Sequence, residues 1–275
     1  MTPKPRTKDG YAPDQSQRVR ATCLYLATKV VDLVNDLVIV GGLVPALIVP
    51  QRGERLHVGT TDLDVGLSIA LFDESRYEEL ASRLLTAGFE PDVNDKGNRT
   101  RQRWRIESPK ITVDFLIEPT RGEAAGSIKQ LSPDLAAFVV PGVRLAFRDR
   151  RQVTLDGETI HREQAARQIS VCGPGSFVAM KALAFGLRGE NKDAYDLVYV
   201  LTELGTAPVA ELLRPMLDDE DARQAREYLR RDFKAVTSIG PRRAAEFTTG
   251  GADDALAADA WGAVQALLDA LEETP

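Results

Sequence analysis

The sequence predicts a mixed α/β domain followed by an all-helical one, and three observations carry that expectation. Apolar and polar residues alternate with the period of two that marks a strand only within the first 172 residues. From Pro174 onward the apolar spacing is helical and strand patterns disappear. At the change stands Gly173-Pro174, with proline suited to the first position of a helix. The expected organisation is a polar, mobile tail (1–16), an α/β core (17–172) and a helical C-terminal domain (173–275).

Within the core, residues 15–36 space Val19, Leu24, Leu26, Val30, Val31 and Val34 as an amphipathic helix does. Residues 37–40 form a short apolar run into Gly41-Gly42, a buried strand ending in a tight turn. Residues 43–49 suit a short helix stopped by Pro50, and 51–59 a polar loop. Over 62–69, Leu63, Val65, Leu67 and Ile69 alternate with Asp62, Asp64, Gly66 and Ser68, so one face of this strand carries two carboxylates. A helix over 74–87 is closed by Gly88. Runs 99–107 and 111–118 flank Ser108-Pro109-Lys110 as a β-hairpin. Residues 143–147 and 152–155 suggest further short strands around a polar turn, and 169–172 leads into Gly173-Pro174. In the second half helices are expected at 174–187, 191–204, 209–217, 220–231 and 252–273, the last with Leu256, Trp261, Val264, Leu268 and Leu271 on one face.

Composition narrows the function classes. Apolar residues make up 43 %, enough for a sizeable core. The longest apolar run, 37–49, is broken by Gly41, Gly42 and Pro45, so no membrane span is expected. The polar N-terminus has no signal-peptide pattern. Cys23 and Cys172 are far apart, which gives neither a disulfide framework nor a zinc pattern; both read as small core residues of a cytoplasmic protein. Net charge is −6, yet residues 251–275 alone hold six acids and no Lys or Arg, so the remainder is formally neutral. A local basic patch for a nucleic acid is therefore compatible with the balance.

Three aspartates stand out. Asp62 and Asp64 leave the same face of one strand, and Asp114 is the only acid among Ile111, Val113, Phe115 and Ile117. An unpaired buried carboxylate is costly, and a shared divalent cation such as Mg²⁺, which takes hard oxygen ligands, would compensate all three. Taken singly, the D-x-D pair could equally be a solvated face and Asp114 the partner of an arginine.

In combination these motifs resemble the polymerase-beta-like nucleotidyltransferase superfamily. Val40-Gly41-Gly42 is followed, twenty residues after Gly42, by Asp62-Leu63-Asp64-Val65, with Thr60 two residues ahead of Asp62. The longer spacing is most similar to the AbiEii branch, the toxins of type IV toxin–antitoxin systems, including the MenT toxins. The lysine and aspartate motifs of that branch match Met180-Lys181-Ala182 with Arg188, and Lys192-Asp193-Ala194-Tyr195-Asp196. The matched blocks span about Val38 to Leu201, and Leu43 departs from the hydroxyl residue that many relatives carry after the glycine pair.

The resemblance implies a nucleotidyltransferase mixed sheet with flanking helices. It also implies an Mg²⁺-dependent transfer of NMP from an NTP to a hydroxyl acceptor, the tRNA 3′ end, in a toxin with a cognate antitoxin. Asp62, Asp64 and Asp114 would hold metal, and Gly41, Gly42, Thr60 and Thr61 would bind nucleotide. Lys181 and Arg188 would meet phosphate, and Asp193 would hold Lys181 or orient the acceptor. Rival expectations are a small-molecule (aminoglycoside-like) or protein acceptor, or a nucleotide- or partner-binding module without catalysis.

Arg99, Arg101, Arg103 and Arg105 alternate strictly and so share one face. A turn at Ser108-Pro109 sets Arg103 opposite Asp114 and Arg105 opposite Thr112. Arg101, Arg103 and Arg105 could then bind acceptor or phosphate; a solvated row, or a structural Arg103–Asp114 ion pair, is the equal alternative. His57 and His161 lie in polar stretches and suggest no role.

Overall fold

A computed structural model describes residues 5–12, 14–50, 56–68, 74–94, 96–106 and 111–273. The described strands are β1 (Leu37–Val40), β2 (Asp62–Leu67), β3 (Glu90–Val93), β4 (Arg99–Ile106), β5 (Ile111–Ile117), β6 (Ile128–Gln130), β7 (Ala136–Val139), β8 (Arg150–Glu158) and β9 (Gln164–Cys172). The helices are α1 (Gln15–Val30), α2 (Val44–Ile48), α3 (Glu74–Thr86), α4 (Val143–Arg148), α5 (Pro174–Arg188), α6 (Asn191–Leu204), α7 (Thr206–Leu213), α8 (Glu220–Asp232), α9 (Ile239–Thr249) and α10 (Asp254–Glu272). The fold is thus α/β, with every described strand before residue 173. Among the described residues no helix is long and apolar enough to cross a membrane.

The chain falls into two compact units. The first contains Pro13–Val44 and Gly59–Cys172, the second Pro3–Ala12, Pro45–Val58 and Gly173–Pro275. In the first, the strands form one mixed sheet in the order β3-β4-β5-β2-β1-β9-β8, with β7 also on β5 and β6 on β7. Its centre is buried on both faces, which is why β1 reads as the unbroken run Leu37-Val38-Ile39-Val40. β2 runs parallel to β5 with Asp64 opposite Asp114, and β4 runs antiparallel to β5 with Arg103 opposite Asp114. Those two registers place the acids and one arginine side by side on three adjacent strands. Cys23 and Cys172 are both buried, as expected.

The second unit packs α5 to α10 around a core that includes Phe177, Leu197, Leu213, Phe233, Phe247 and Leu268. In the same unit Lys8–Gly10 form a 3-10 turn, and Tyr11 is buried edge-on to Phe247, with ring centroids 5.8 Å apart.

Several expectations differ from the structure. Residues 143–148 form α4, not a strand: Val143, Leu145 and Phe147 mimic alternation, but the buried set is Val143, Leu145 and Ala146. Gly142, at φ 86°, turns the chain into that helix. The strand begun at 150 pairs with 164–172 in a hairpin running from Arg150 opposite Cys172 to Glu158 opposite Gln164. Its outer half is exposed and polar, which hid its length. Strands β3, β6 and β7 and helix α9 were not anticipated. α9 begins Ile239-Gly240-Pro241, residues that read as a break, yet proline is tolerated in a first turn whose N–H groups need no helical partner. The ends of two expected strands (69 and 107), the hairpin turn 108–110 and loop residues 51–55 lie outside the described residues.

Candidate metal centre

Asp62, Asp64 and Asp114 converge. Each offers a carboxylate oxygen, and these oxygens lie within 4.8 Å of one another. Asp62 and Asp114 are each only 5 % exposed and Asp64 is half-buried. Two ionised carboxylates at such a distance repel by roughly 3 kcal/mol at an effective dielectric constant of about 20. The grouping therefore requires positive charge.

Arg103 supplies part of it. Its Nε donates to Asp114 Oδ1 at 2.6 Å and its Nη2 to Oδ2 at 2.5 Å, a fork that fixes the carboxylate plane. The hydrogen bonds it donates to Asp114 outweigh burial and hold the guanidinium pKa above its ordinary value. Three hard carboxylate oxygens gathered this closely fit a divalent cation such as Mg²⁺.

The neighbouring backbone is shaped to the same end. Gly41 follows β1 at φ 71°, and a Cβ built there would lie 1.9 Å from Asp64 Oδ2. The glycine is needed twice over, for its backbone angle and for the room its missing side chain gives the carboxylate. Gly42 is buried in the same turn. The Thr60 hydroxyl is 3.0 Å from Asp62 Oδ1 and 3.2 Å from its carbonyl oxygen, and the Thr60 N–H donates to Ser16 Oγ at 3.1 Å. The hydroxyl expected to meet phosphate thus stands against the Asp62 carboxylate. Thr61 is half-buried just before β2.

Of the remaining arginines, Arg105 lies 3.7 Å from Glu90, and Arg101 donates to Gln130 Oε1 at 3.4 Å. Arg99 and Arg101 line an open cleft of about 380 Å³ with Gln102, Gln130 and Asp134. The row shares one face, while Gln102, Trp104 and Ile106 are buried on the other. Both alternatives for the row therefore find a place, with Arg103 in an ion pair and Arg101 on the cleft.

One expected outcome concerns Arg103. Changing Arg103 to Gln removes the ion pair to Asp114 and should cost about 3 kcal/mol of stability without metal. The same variant should gain more than the wild type from added Mn²⁺. Thermal unfolding with and without Mn²⁺ checks this, and an equal gain in both proteins would show that Arg103 and metal do not share one electrostatic site.

The second unit brings together Lys181, Arg188, Asp193 and two residues not singled out from sequence, Asp196 and His57. Lys181 Nζ lies 3.0 Å from Asp193 Oδ1 and 2.7 Å from Asp196 Oδ2. Arg188 donates to Asp193 through Nε (2.6 Å) and Nη2 (2.9 Å), and Lys192 Nζ reaches both Asp196 oxygens at 2.8 and 2.9 Å. Burial alone would push Lys181 down, but the Asp196 and Asp193 charges outweigh it and hold its pKa above the ordinary lysine value. Burial pushes Asp193 up, yet Lys181 and Arg188 bring it to about 2. Asp196 is held well below the usual range against the same burial by Lys181 and Lys192, with a hydrogen bond from His57. Asp193 and Asp196 fall on the apolar stripe of α6 with Leu197 and Val200, which is the signal that could have found Asp196. His57 offered no local signal, since its partner is 139 residues away.

Comparisons with known proteins add little. No protein-family model matches the chain, and no curated protein is significantly similar to it. Among solved structures, an antigenic nucleotidyltransferase-like protein from Paracoccidioides brasiliensis is similar at 15 % identity, covering 76 % of this chain and 93 % of that one, with a TM-score of 0.41. Similarity this low does not establish a shared function.

Proposed function

We propose that the chain is an Mg²⁺-dependent nucleotidyltransferase that moves NMP from an NTP to a hydroxyl acceptor and releases pyrophosphate. The observation that carries this reading is the convergence of Asp62, Asp64 and Asp114, from two parallel strands, beside a glycine turn with no room for a Cβ. When bound, Mg²⁺ supplies Lewis-acid chemistry, polarising the α-phosphate and neutralising charge that builds on it. Asp62 and Asp64 hold that charge in place, with Thr60 orienting Asp62. Arg103 aligns Asp114. Asp114 accepts the proton from the attacking hydroxyl, whose oxygen then bonds to the α-phosphorus as the bond to pyrophosphate breaks.

Lys181 has three N–H donors and directs two at Asp193 and Asp196. The third is assigned to a phosphate oxygen of the triphosphate. Motif resemblance assigns Arg188 to phosphate as well; within the first unit, the backbone N–H groups of Gly41 and Gly42 are assigned to phosphate. Arg101, on the open cleft, is the acceptor-side group, and its charge suits a phosphodiester. The acceptor proposed is the tRNA 3′ end, in a cytoplasmic toxin controlled by an antitoxin, and this part rests on motif resemblance. Incubation with Mg²⁺, each α-labelled NTP, and separate pools of tRNA, protein and aminoglycoside tests it. Label on tRNA supports the reading, label on another pool moves the acceptor, and label on none favours a binding module.

A further inference from the structure

His57 comes from a stretch of chain far in sequence from α6, yet its side chain is 1 % exposed and its Nε2 lies 2.8 Å from Asp196 Oδ1. The ring stacks on Tyr195 (centroids 5.5 Å apart) and packs against Tyr199 (4.9 Å). The hydroxyls of these tyrosines interact with the backbone of Val58 and of His57 respectively. Three consecutive features of α6, Tyr195, Asp196 and Tyr199, thus grip one short segment.

Asp196 is the hub. Oδ1 accepts from His57 and Lys192, and Oδ2 holds Lys181 Nζ at 2.7 Å and Lys192 at 2.9 Å. Two flexible lysine stems do not fix the plane of a carboxylate, because an ammonium is a point charge with freely rotating donors. An imidazole N–H on a ring packed against both Tyr195 and Tyr199 does fix it. We propose that His57 is a positioning residue for Lys181: its Nε2–H orients Asp196 so that the other carboxylate oxygen anchors the ammonium with one N–H left for an incoming anion. The assignment of that anion as the triphosphate rests on the proposed function; the positioning itself does not.

The charges fit this role. Asp196 is ionised and can only accept, so the shared proton belongs to His57 Nε2. Burial outweighs the pull of Asp196 and keeps the imidazole pKa below its ordinary value, with Lys192 and Lys181 adding to the effect, so His57 is neutral near pH 7. Three cations (Lys181, Lys192, Arg188) then face two carboxylates (Asp193, Asp196).

The test uses the full chain and two variants. His57→Phe keeps a ring against the tyrosines and removes the donor; His57→Gln keeps a donor and cannot ionise. Nitrogen-15 NMR reads the His57 tautomer and the hydrogen exchange of the Lys181 ammonium, while equilibrium dialysis reads triphosphate binding with Mg²⁺. The expected results are an Nε2–H tautomer, Lys181 exchange at least tenfold faster in His57→Phe, and near-recovery in His57→Gln. Triphosphate affinity should fall about tenfold in the Phe variant and recover in the Gln variant. An Nδ1–H tautomer, or Lys181 exchange equal in wild type and His57→Phe, would overturn the proposal even if both variants lose thermal stability. Should the wild type bind no triphosphate, the functional reading falls while the exchange measurement still decides the positioning.

Discussion

Asp62→Asn and Asp64→Asn should each lower nucleotidyl transfer by about a thousandfold or more, equivalent to about 4 kcal/mol of transition-state stabilisation. The same variants, without metal, should unfold at a higher temperature than the wild type. The two expectations share one cause. Three carboxylate oxygens within 4.8 Å of one another repel. An amide of the same shape removes one of those charges and relieves the apo protein by about 1 kcal/mol. It also weakens the ligand that a cation needs, so the rise in melting temperature on adding Mg²⁺ or Mn²⁺ should shrink or vanish. Lost activity with a lost apo fold would point to a merely structural role for these aspartates. Gly41→Ala should act on the same group from outside, because its Cβ would sit 1.9 Å from Asp64 Oδ2 at a backbone angle alanine resists.

The second large effect is on stability. Lys181→Met removes the ammonium that joins Asp193 to Asp196 and leaves two carboxylates buried. Breaking a buried pair by removing one partner costs about 3–5 kcal/mol. Arg188 and Lys192 still contact the same acids, so the low end, about 3 kcal/mol, is expected. The pH dependence follows from the direction of the shifts. Asp193 (about 2) and Asp196 are depressed in the folded protein, so their stabilising contribution is present above the unfolded aspartate value. It is lost as pH falls from about 4 toward about 2. Lys181 is shifted upward, so its contribution is complete below the unfolded lysine pKa of about 10.4 and is lost only as pH rises beyond its folded value. The Met variant should lose stability near neutral pH and show a flatter decline in acid. Urea unfolding between pH 2 and pH 8 measures both, and parallel curves for the two proteins would mean that the cluster is not one coupled unit.

The candidate centre was unusually legible because strand geometry is so regular. Alternation alone puts Asp62 and Asp64 on one face, and counting outward from Ser108-Pro109 gives the Arg103–Asp114 register that the hairpin adopts. The crossover that sets β2 beside β5, and so Asp64 opposite Asp114, is a tertiary fact that no local pattern holds. The second cluster was half legible. Asp193 and Asp196 on an apolar helical stripe demand buried cations, and Lys181 and Arg188 were available on the preceding helix. His57 was invisible, since a histidine in a polar stretch gains meaning only from the helix that receives it. Misread elements share another cause. α4 alternates by chance over six residues, and β3 and β6 are short and mostly exposed, so burial leaves no pattern on them.

Titration with Mn²⁺ followed by electron paramagnetic resonance addresses the metal centre most directly. The wild type should bind Mn²⁺ at the cluster of Asp62, Asp64 and Asp114, with affinity at least about thirtyfold weaker in the Asp62→Asn/Asp64→Asn double variant. Equal binding by the two proteins, or none by the wild type, would contradict a divalent-cation site built on these aspartates.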